Sequence, residues 1–272
     1  MDFLEEVLTI AKQAGDVLSA HFHSAFLPSV TMKSDKSPVT QADIAANKII
    51  TEGLQKITPD IPVLSEENTI PDFDARQSWK QYWLVDPLDG TRGFINKSRE
   101  FCVCIALIEN QLPIFGVIYS PFDVHISYAI KDKGAWKRSC TDQTETQLQV
   151  KKGDVKQLRV LCGHSHRNLE IRKFLSQSFS NVTLTALNSA LKFTVIASGL
   201  ADLYLRFGPT SEWDTAAGHC IVAEAGGAVV DFQGKPLQYN VKSSVINPPF
   251  LAMADVSRLE QYLSIVTSRK FI

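Results

Sequence analysis

Trp83-Leu84-Val85-Asp86-Pro87-Leu88-Asp89-Gly90-Thr91 joins an apolar run to two carboxylates three positions apart, followed at once by Gly-Thr. Tyr82 to Val85 reads as a buried strand. Pro87 cannot donate to a ladder, which predicts that the strand stops there. Gly90 gives the backbone freedom to turn, and Thr91 can cap whatever follows. Two carboxylates at the mouth of a strand repel each other unless a cation lies between them. Hard, all-oxygen ligation suits Mg²⁺. Backbone N–H groups around Gly90 and Thr91 then offer a place for a phosphate. The combination points to metal-assisted phosphoryl chemistry. The competing reading is an ordinary acidic turn with Asx hydrogen bonding.

The rest of the chain narrows the setting. At 272 residues it can bury a large core, as one domain or two subdomains. A formal net charge of −1 excludes a nucleic-acid-sized basic footprint. An anionic substrate must therefore be met locally, by metal and a few placed cations. Five cysteines, at positions 102, 104, 140, 162 and 220, form no CxxC pair, which argues for reduced thiols and a cytoplasmic protein. Cys102 and Cys104 alternate along an apolar strand and so share a face as small hydrophobes. The N-terminus is acidic and amphipathic, unlike a signal peptide, and no apolar run approaches membrane-spanning length.

Helical spacing predicts helices over residues 3–22 and 41–57, with a polar loop between them at 33–38. Strands are expected at 63–64, 82–85, 101–108, 114–119, 124–129 and from Gly134. After a polar segment at 141–157 the pattern changes to alternation. Strands at 158–162, 182–184, 201–205 and 227–231 are interleaved with helices at 169–176, 190–198, 214–224 and 257–266. This predicts a layered α/β or α+β fold. It also suggests an N-terminal subdomain over residues 1–150 and a C-terminal one over 151–272.

Further acids join the first pair. Glu66-Glu67 follows a short apolar strand, as Asp86 does, so two strands could deliver carboxylates to one sheet edge. Trp213-Asp214-Thr215-Ala216-Ala217-Gly218 puts Asp214 at or just before a helix start, as an N-cap, a metal ligand or both. Asp43, in the first turns of the second helix, is either dipole-stabilising or an acceptor that orients a hydroxyl or a water. Three functions compete on these residues. One is a multi-Mg²⁺ phosphate-ester hydrolase built from Glu66, Asp86, Asp89 and Asp214. Another is a metal-stabilised binding protein without catalysis. The weakest is a Cys162 or Cys220 hydrolase, since no motif surrounds either thiol.

Taken together and in this order, Glu66-Glu67, Asp86-Pro87-Leu88-Asp89-Gly90-Thr91 and Trp213 to Gly218 resemble the signatures of the inositol monophosphatase-like, lithium-sensitive phosphatases. Ser37 to Thr40, Pro62 to Glu67, Tyr82 to Asp86 and Arg206 to Thr210 are most similar to the 3′(2′),5′-bisphosphate nucleotidase branch. The resemblance implies an αβαβα sandwich and two to three Mg²⁺ ions per site. Glu66, Asp86 and the Leu88 carbonyl would hold one ion, and Asp86, Asp89 and Asp214 a second. Glu66 would also help a third. Gly90 and Thr91 N–H groups would grip the phosphate, and the Thr91 hydroxyl, held by Asp43, would orient the attacking water. His166, Ser189, Lys192 and Arg206 map onto nucleotide-binding positions. The implied substrate is adenosine 3′,5′-bisphosphate, cleaved to AMP, with its sulfated analogue as a further candidate. Inositol 1-phosphate or a general sugar phosphate is the alternative. The enzyme would act as a monomer or homodimer on a small molecule, not on a nucleic-acid polymer. Gly93, His164, Asn188 and Ala190 depart from the branch pattern.

Overall fold

The computed structural model describes residues 3–24, 30–32, 38–153, 157–164, 175–177 and 179–267. Helix α1 (Leu4–His23) presents Val7, Ala11, Ala14 and Leu18 as one buried stripe. Strands β1 (Val30–Met32) and β2 (Pro38–Thr40) form a small antiparallel pair. Helix α2 (Gln41–Ile57) starts at Thr40, which forms a reciprocal capping box with Asp43. It buries Ala42, Ala46, Ile50 and Leu54 at a spacing of four.

A seven-stranded sheet follows, in the order β3-β4-β5-β6-β7-β8-β9. Its strands are β3 (Val63–Ser65), β4 (Gln81–Asp89), β5 (Cys102–Glu109), β6 (Leu112–Ser120), β7 (His125–Ile130), β8 (Gly134–Ser139) and β9 (Glu145–Leu148). Only β3 runs parallel to its neighbour; the others are an antiparallel meander. Short helices α3 (Phe73–Arg76) and α4 (Thr91–Ile95) flank β4.

The second sheet has five strands, in the order β11-β10-β12-β14-β13. They are β10 (Gln157–Cys162), β11 (Asn181–Ala186), β12 (Leu203–Arg206), β13 (Ala228–Asp231) and β14 (Phe250–Met253). Helices α5 (Leu191–Ala197) and α6 (Ala216–Glu224) lie between the sheets, and α7 (Leu259–Thr267) covers the outer face of the second. Three cores glue these layers. One joins α1 and α2 to the first sheet, one runs through α5 and α6 between the sheets, and one joins the second sheet to α7. The stack is the αβαβα sandwich implied above.

Several expectations need correction. Strand β4 does not stop at Pro87; it continues to Asp89, with a register shift between Asp86 and Asp89. The polar segment 141–157, for which the sequence predicts no element, contains β9, paired with β8. Helix α6 begins at Ala216, and Asp214 closes a separate 3₁₀ turn (Glu212–Asp214). Strand β14 had no periodic signal of its own, being a short run buried on both faces. The loop expected over 33–38 and the helix expected over 169–176 lie largely outside the described residues. No helix among the described residues is long and apolar enough to cross a membrane.

Helix α6 approaches the first sheet closely at Gly116, where a β-carbon would stand 2.5 Å from the Ala217 carbonyl oxygen. That contact is with backbone, so it cannot be relieved by a rotamer change. Gly116→Ala should destabilise the protein by about 1–3 kcal/mol in urea unfolding. It should also reduce activity, because α6 follows directly on the turn carrying Asp214. A wild-type midpoint would contradict this packing.

Candidate active site

Strand pairing gathers the acids. Ser65 lies opposite Val85, and Glu66 N–H donates to the Val85 carbonyl at 3.1 Å, so Glu66 is set beside Asp86. On the other side of β4, Asp86 lies opposite Cys104 and Asp89 opposite Cys102. On a regular strand, residues three apart point to opposite faces. Here one extra residue is inserted at Pro87-Leu88, a β-bulge, and the two carboxylates share a face. The cores record the same switch. Tyr82 and Leu84 pack between the sheets, whereas Leu88 turns into the α1–α2 core. Pro87 occupies the bulge, where its missing N–H breaks no ladder bond. Leu88 N–H donates to Asp86 Oδ1 at 3.0 Å.

Asp214 arrives from the opposite direction, on the 3₁₀ turn ahead of α6. Ser211 N–H donates to its Oδ2 at 2.9 Å and holds the carboxylate in place. Carboxylate oxygens of Glu66, Asp86 and Asp214 lie within 4.8 Å of one another. Asp89 is arranged differently. One of its oxygens accepts the Ala190 N–H, and the carboxylate groups with the thiols of Cys102 and Cys104. Asp86 and Asp214 thus converge with Glu66, and Asp89 adjoins them, close enough to add to the repulsion on both Asp86 and Asp214.

The electrostatics follow from this crowding. Burial first, then repulsion from Glu66, Asp89 and Asp214, pushes the Asp86 carboxyl well above the usual carboxylate range. Asp214 is pushed the same way by burial and by Asp89 and Glu66. Burial also raises Asp89, to about 6, with Lys192 and the Ala190 N–H opposing the rise. Such a cluster is costly until a cation enters it. Every donor in the Glu66–Asp86–Asp214 group is a carboxylate oxygen, which fits a hard divalent ion.

Thr91 Oγ is 3.2 Å from Asp43 Oδ1 and 3.1 Å from the Leu88 carbonyl oxygen, so its single proton serves one acceptor at a time. Asp43 is buried, and its other oxygen accepts from the Thr40 N–H at 2.8 Å and the Thr40 hydroxyl at 2.6 Å. Its cap role and its contact with Thr91 therefore coexist. Gly90 has φ +102°, and a β-carbon there would stand 2.9 Å from the Glu100 carbonyl oxygen. Only glycine fits this turn into α4.

A cleft of about 190 Å³ opens beside the acids, lined by Asp89, Gly90, Ser189, Lys192, Arg206 and Asp214 among others. Lys192 is buried, 4% exposed, and its ammonium donates to the carbonyls of Leu187 at 3.0 Å and Ser189 at 2.6 Å. Burial pushes its pKa down, against the pull of Asp89. The Arg206 guanidinium is oriented by the carbonyls of Gly208 at 3.1 Å and Pro209 at 2.8 Å. Ser189 holds a left-handed backbone, φ +57°, ahead of α5. His166 lies outside the described residues.

Other contacts carried no sequence signal. Glu100 accepts both the Asn188 N–H and His164 Nε2 at 3.0 Å. Behind the Asp214 turn, buried Glu212 accepts the Asn240 N–H at 2.9 Å, while the Asn240 side chain is bound to buried Arg76. Asn247 Nδ2 donates to the Ser211 carbonyl at 2.7 Å and the Thr215 hydroxyl at 3.0 Å. These partners come from far along the chain, and only folding identifies them.

Residues 2–264 match the inositol monophosphatase family. The chain belongs to the inositol monophosphatase family. It is 45% identical to the 3′(2′),5′-bisphosphate nucleotidase CysQ of Escherichia coli, over 91% of this chain and 98% of that protein. It is 47% identical to the protein of the same name from Salmonella typhimurium, with the same coverage. Its fold is similar to the crystal structure of CysQ from Bacteroides thetaiotaomicron, a bacterial member of this family, with TM-score 0.78 and 32% identity over 92% of this chain and 97% of that one. In this family setting the acidic cluster is suited to metal binding.

A carboxyl whose native pKa exceeds its unfolded value of about 3.9 stabilises the metal-free fold at low pH. That contribution is lost as pH rises through the native pKa. Metal-free wild type should therefore lose stability relative to Asp86→Asn as pH rises above about 4 and on through the raised native pKa. Above that pKa the variant should melt a few degrees higher, at about 2–4 °C per kcal/mol. Its Tm should also respond less than that of wild type to an added divalent ion. Parallel pH profiles for the two proteins would remove the repulsive cluster.

Proposed function

We propose that this chain is a Mg²⁺-dependent 3′(2′),5′-bisphosphate nucleotidase that converts adenosine 3′,5′-bisphosphate to AMP and phosphate. The observation that carries this reading is the convergence of Glu66, Asp86 and Asp214 within 4.8 Å, beside a cleft that also holds Lys192 and Arg206. The acids suit hydrolysis of a phosphate ester. The two cations suit a second, non-reacting phosphate. The names carried by relatives at 45% and 47% identity support the same substrate class.

Glu66, Asp86 and Asp214 would hold the metal, with Asp89 and the Leu88 carbonyl as adjoining donors for a second or third ion. Bound there, divalent metal supplies charge neutralisation for the phosphate and acidifies water near neutral pH. The chain's own residues do the positioning. Gly90 and Thr91 turn their backbone toward the phosphate at the start of α4. Thr91 Oγ donates its proton to Asp43 and accepts one from the attacking water, which fixes the line of approach. Water adds to phosphorus as the bond to the 3′-oxygen breaks; the water gives up a proton, the departing 3′-oxygen takes one from solvent, and no covalent enzyme intermediate is required. Lys192 keeps one N–H for an anion in the cleft after its two carbonyl partners are served. Arg206 offers a planar donor set to the same anion. Ser189 would take a substrate hydroxyl. All five cysteines are free, in keeping with a cytoplasmic enzyme. Residues 1–150 and 151–272 would act as subdomains, the first supplying most ligands and the second the cations.

Phosphate release with Mg²⁺ from adenosine 3′,5′-bisphosphate, its sulfated analogue, inositol 1-phosphate and fructose 1,6-bisphosphate tests the assignment. The adenosine bisphosphate should have the highest kcat/KM. Lys192→Ala should raise its KM about tenfold or more and leave inositol 1-phosphate nearly unaffected. Preference for inositol 1-phosphate, or equal harm to both substrates, would replace the nucleotidase with a general sugar-phosphate phosphatase.

Thr91→Ala and Asp43→Asn should each lower kcat with little change in the Mg²⁺ concentration needed for half-activity. Because both act on one water, the double variant should lose less than the sum of the two. Additive losses would return Asp43 to a plain capping role.

A further inference from the structure

Cys102 and Cys104 have no part in the hydrolysis described above, yet the ladder sets them directly across from Asp89 and Asp86. Their Sγ atoms are 3.8 Å apart. Both sulfurs and an Asp89 carboxylate oxygen lie within 4.8 Å of one another. A tetrahedral zinc-class ion with metal–sulfur bonds of about 2.3 Å holds two thiolates about 3.8 Å apart, along one edge of the tetrahedron. The two thiols already stand at that separation. With a carboxylate bond of about 2.1 Å the sulfur–oxygen edges would be about 3.6 Å, and a small rotation of the Asp89 side chain covers any excess. Among the described residues, no other group of three such ligands contains a cysteine.

We propose that Cys102, Cys104 and Asp89 form a site for a thiophilic divalent cation of the zinc and cadmium class, and that filling it inhibits hydrolysis by engaging Asp89, the donor that adjoins the catalytic cluster. The donor sets separate the two kinds of ion. Glu66, Asp86 and Asp214 offer only oxygen, whereas the second group offers two sulfurs and one carboxylate. On binding, two S–H bonds break and two metal–sulfur bonds form. Both protons go to solvent, the carboxylate adds as it is, and nothing is oxidised or reduced. The dication offsets the two new thiolates, which would otherwise be costly in an interior beside Asp86 and Asp89. The fourth position is left to water or a phosphate oxygen. Cys102 and Cys104 are 0% and 1% exposed, so the ion must enter past Asp89, which lines the cleft.

Cadmium titrated into the metal-free whole protein tests this. Wild type should develop a thiolate-to-cadmium charge-transfer band that saturates at one ion per chain, with about two protons released per ion in weak buffer. Cys102→Ser, Cys104→Ser and the double Cys102→Ala/Cys104→Ala should lose the band and the proton release. In the phosphatase assay at fixed Mg²⁺, the same variants should keep the uninhibited wild-type rate. They should need about tenfold or more cadmium for half-inhibition. No band in wild type, a band that survives in the double variant, or equal inhibition of wild type and variants would overturn the site. Each single variant answers the question alone where the double variant does not fold. The inhibition arm rests on the nucleotidase reading; the band and the proton count do not, so the two failures are distinguishable.

Discussion

Asp86 and Asp89 could not serve one site from an uninterrupted strand, because an odd spacing sends alternate side chains to opposite faces. The one-residue bulge at Pro87-Leu88 resolves this, and the rest of the site depends on it. Before the bulge, Tyr82 and Leu84 face the inter-sheet core; after it, Leu88 faces the α1–α2 core and Asp89 faces the cleft. Proline is well suited to the inserted position, since it has no ladder donor to lose. Gly90 then takes the left-handed turn that starts α4 and brings Thr91 to Asp43. A single local departure from ladder geometry thus positions two carboxylates, one carbonyl and one hydroxyl.

The cost of this arrangement is electrostatic, and the fold offsets it in layers. Three carboxylates crowd one volume, with Asp89 at its side, and burial and repulsion raise Asp86, Asp89 and Asp214 together. Relief comes partly from fixed donors: Leu88 N–H on Asp86, Ala190 N–H on Asp89, Ser211 N–H on Asp214. Behind the Asp214 turn, Glu212, Asn240 and Arg76 form a second buried polar chain, and Asn247 ties Ser211 to Thr215. These contacts make the turn rigid without adding charge to the ligand cluster itself. The remaining imbalance is what a divalent ion can cancel.

Much of the site was legible because its parts are local. Asp86-Pro87-Leu88-Asp89-Gly90-Thr91 carries its own turn chemistry, and α1 and α2 announce themselves by apolar spacing. What escaped was non-local. Pro87 looked like a strand terminator because a chain alone cannot say that its partner strand will resume pairing one residue later. Strand β9 was hidden in a polar segment because only Leu148 of its four residues is buried. Ala190 looked like a departure from the nucleotidase pattern, yet its contribution to Asp89 is a backbone N–H that any residue but proline would supply. Nothing in the local sequence says that Lys192 is buried; the fold places it over Tyr204, with its ammonium 5.0 Å from the ring centre.

The division of labour between the sheets bears on how specificity could arise. Asp86 and Asp89 stand on the first sheet, Glu66 at the end of its strand β3 and Asp214 on the turn before α6, whereas Lys192 belongs to α5 between the sheets and Arg206 to β12 of the second. Helices α5 and α6 share the inter-sheet core, so the ligand cluster and the cations are held at a separation set by packing and not by loop geometry. Gly218 lets α6 close on the Phe193 ring, where a β-carbon would come within 2.3 Å. A reacting phosphate at the acids and a second phosphate at Lys192 and Arg206 would then be selected by one rigid distance. A monophosphate would fill only the first position and so would gain nothing from the buried lysine. Helix α5 and strand β12 would then supply preference among phosphate esters, and the bulged strand of the first sheet the chemistry common to all of them.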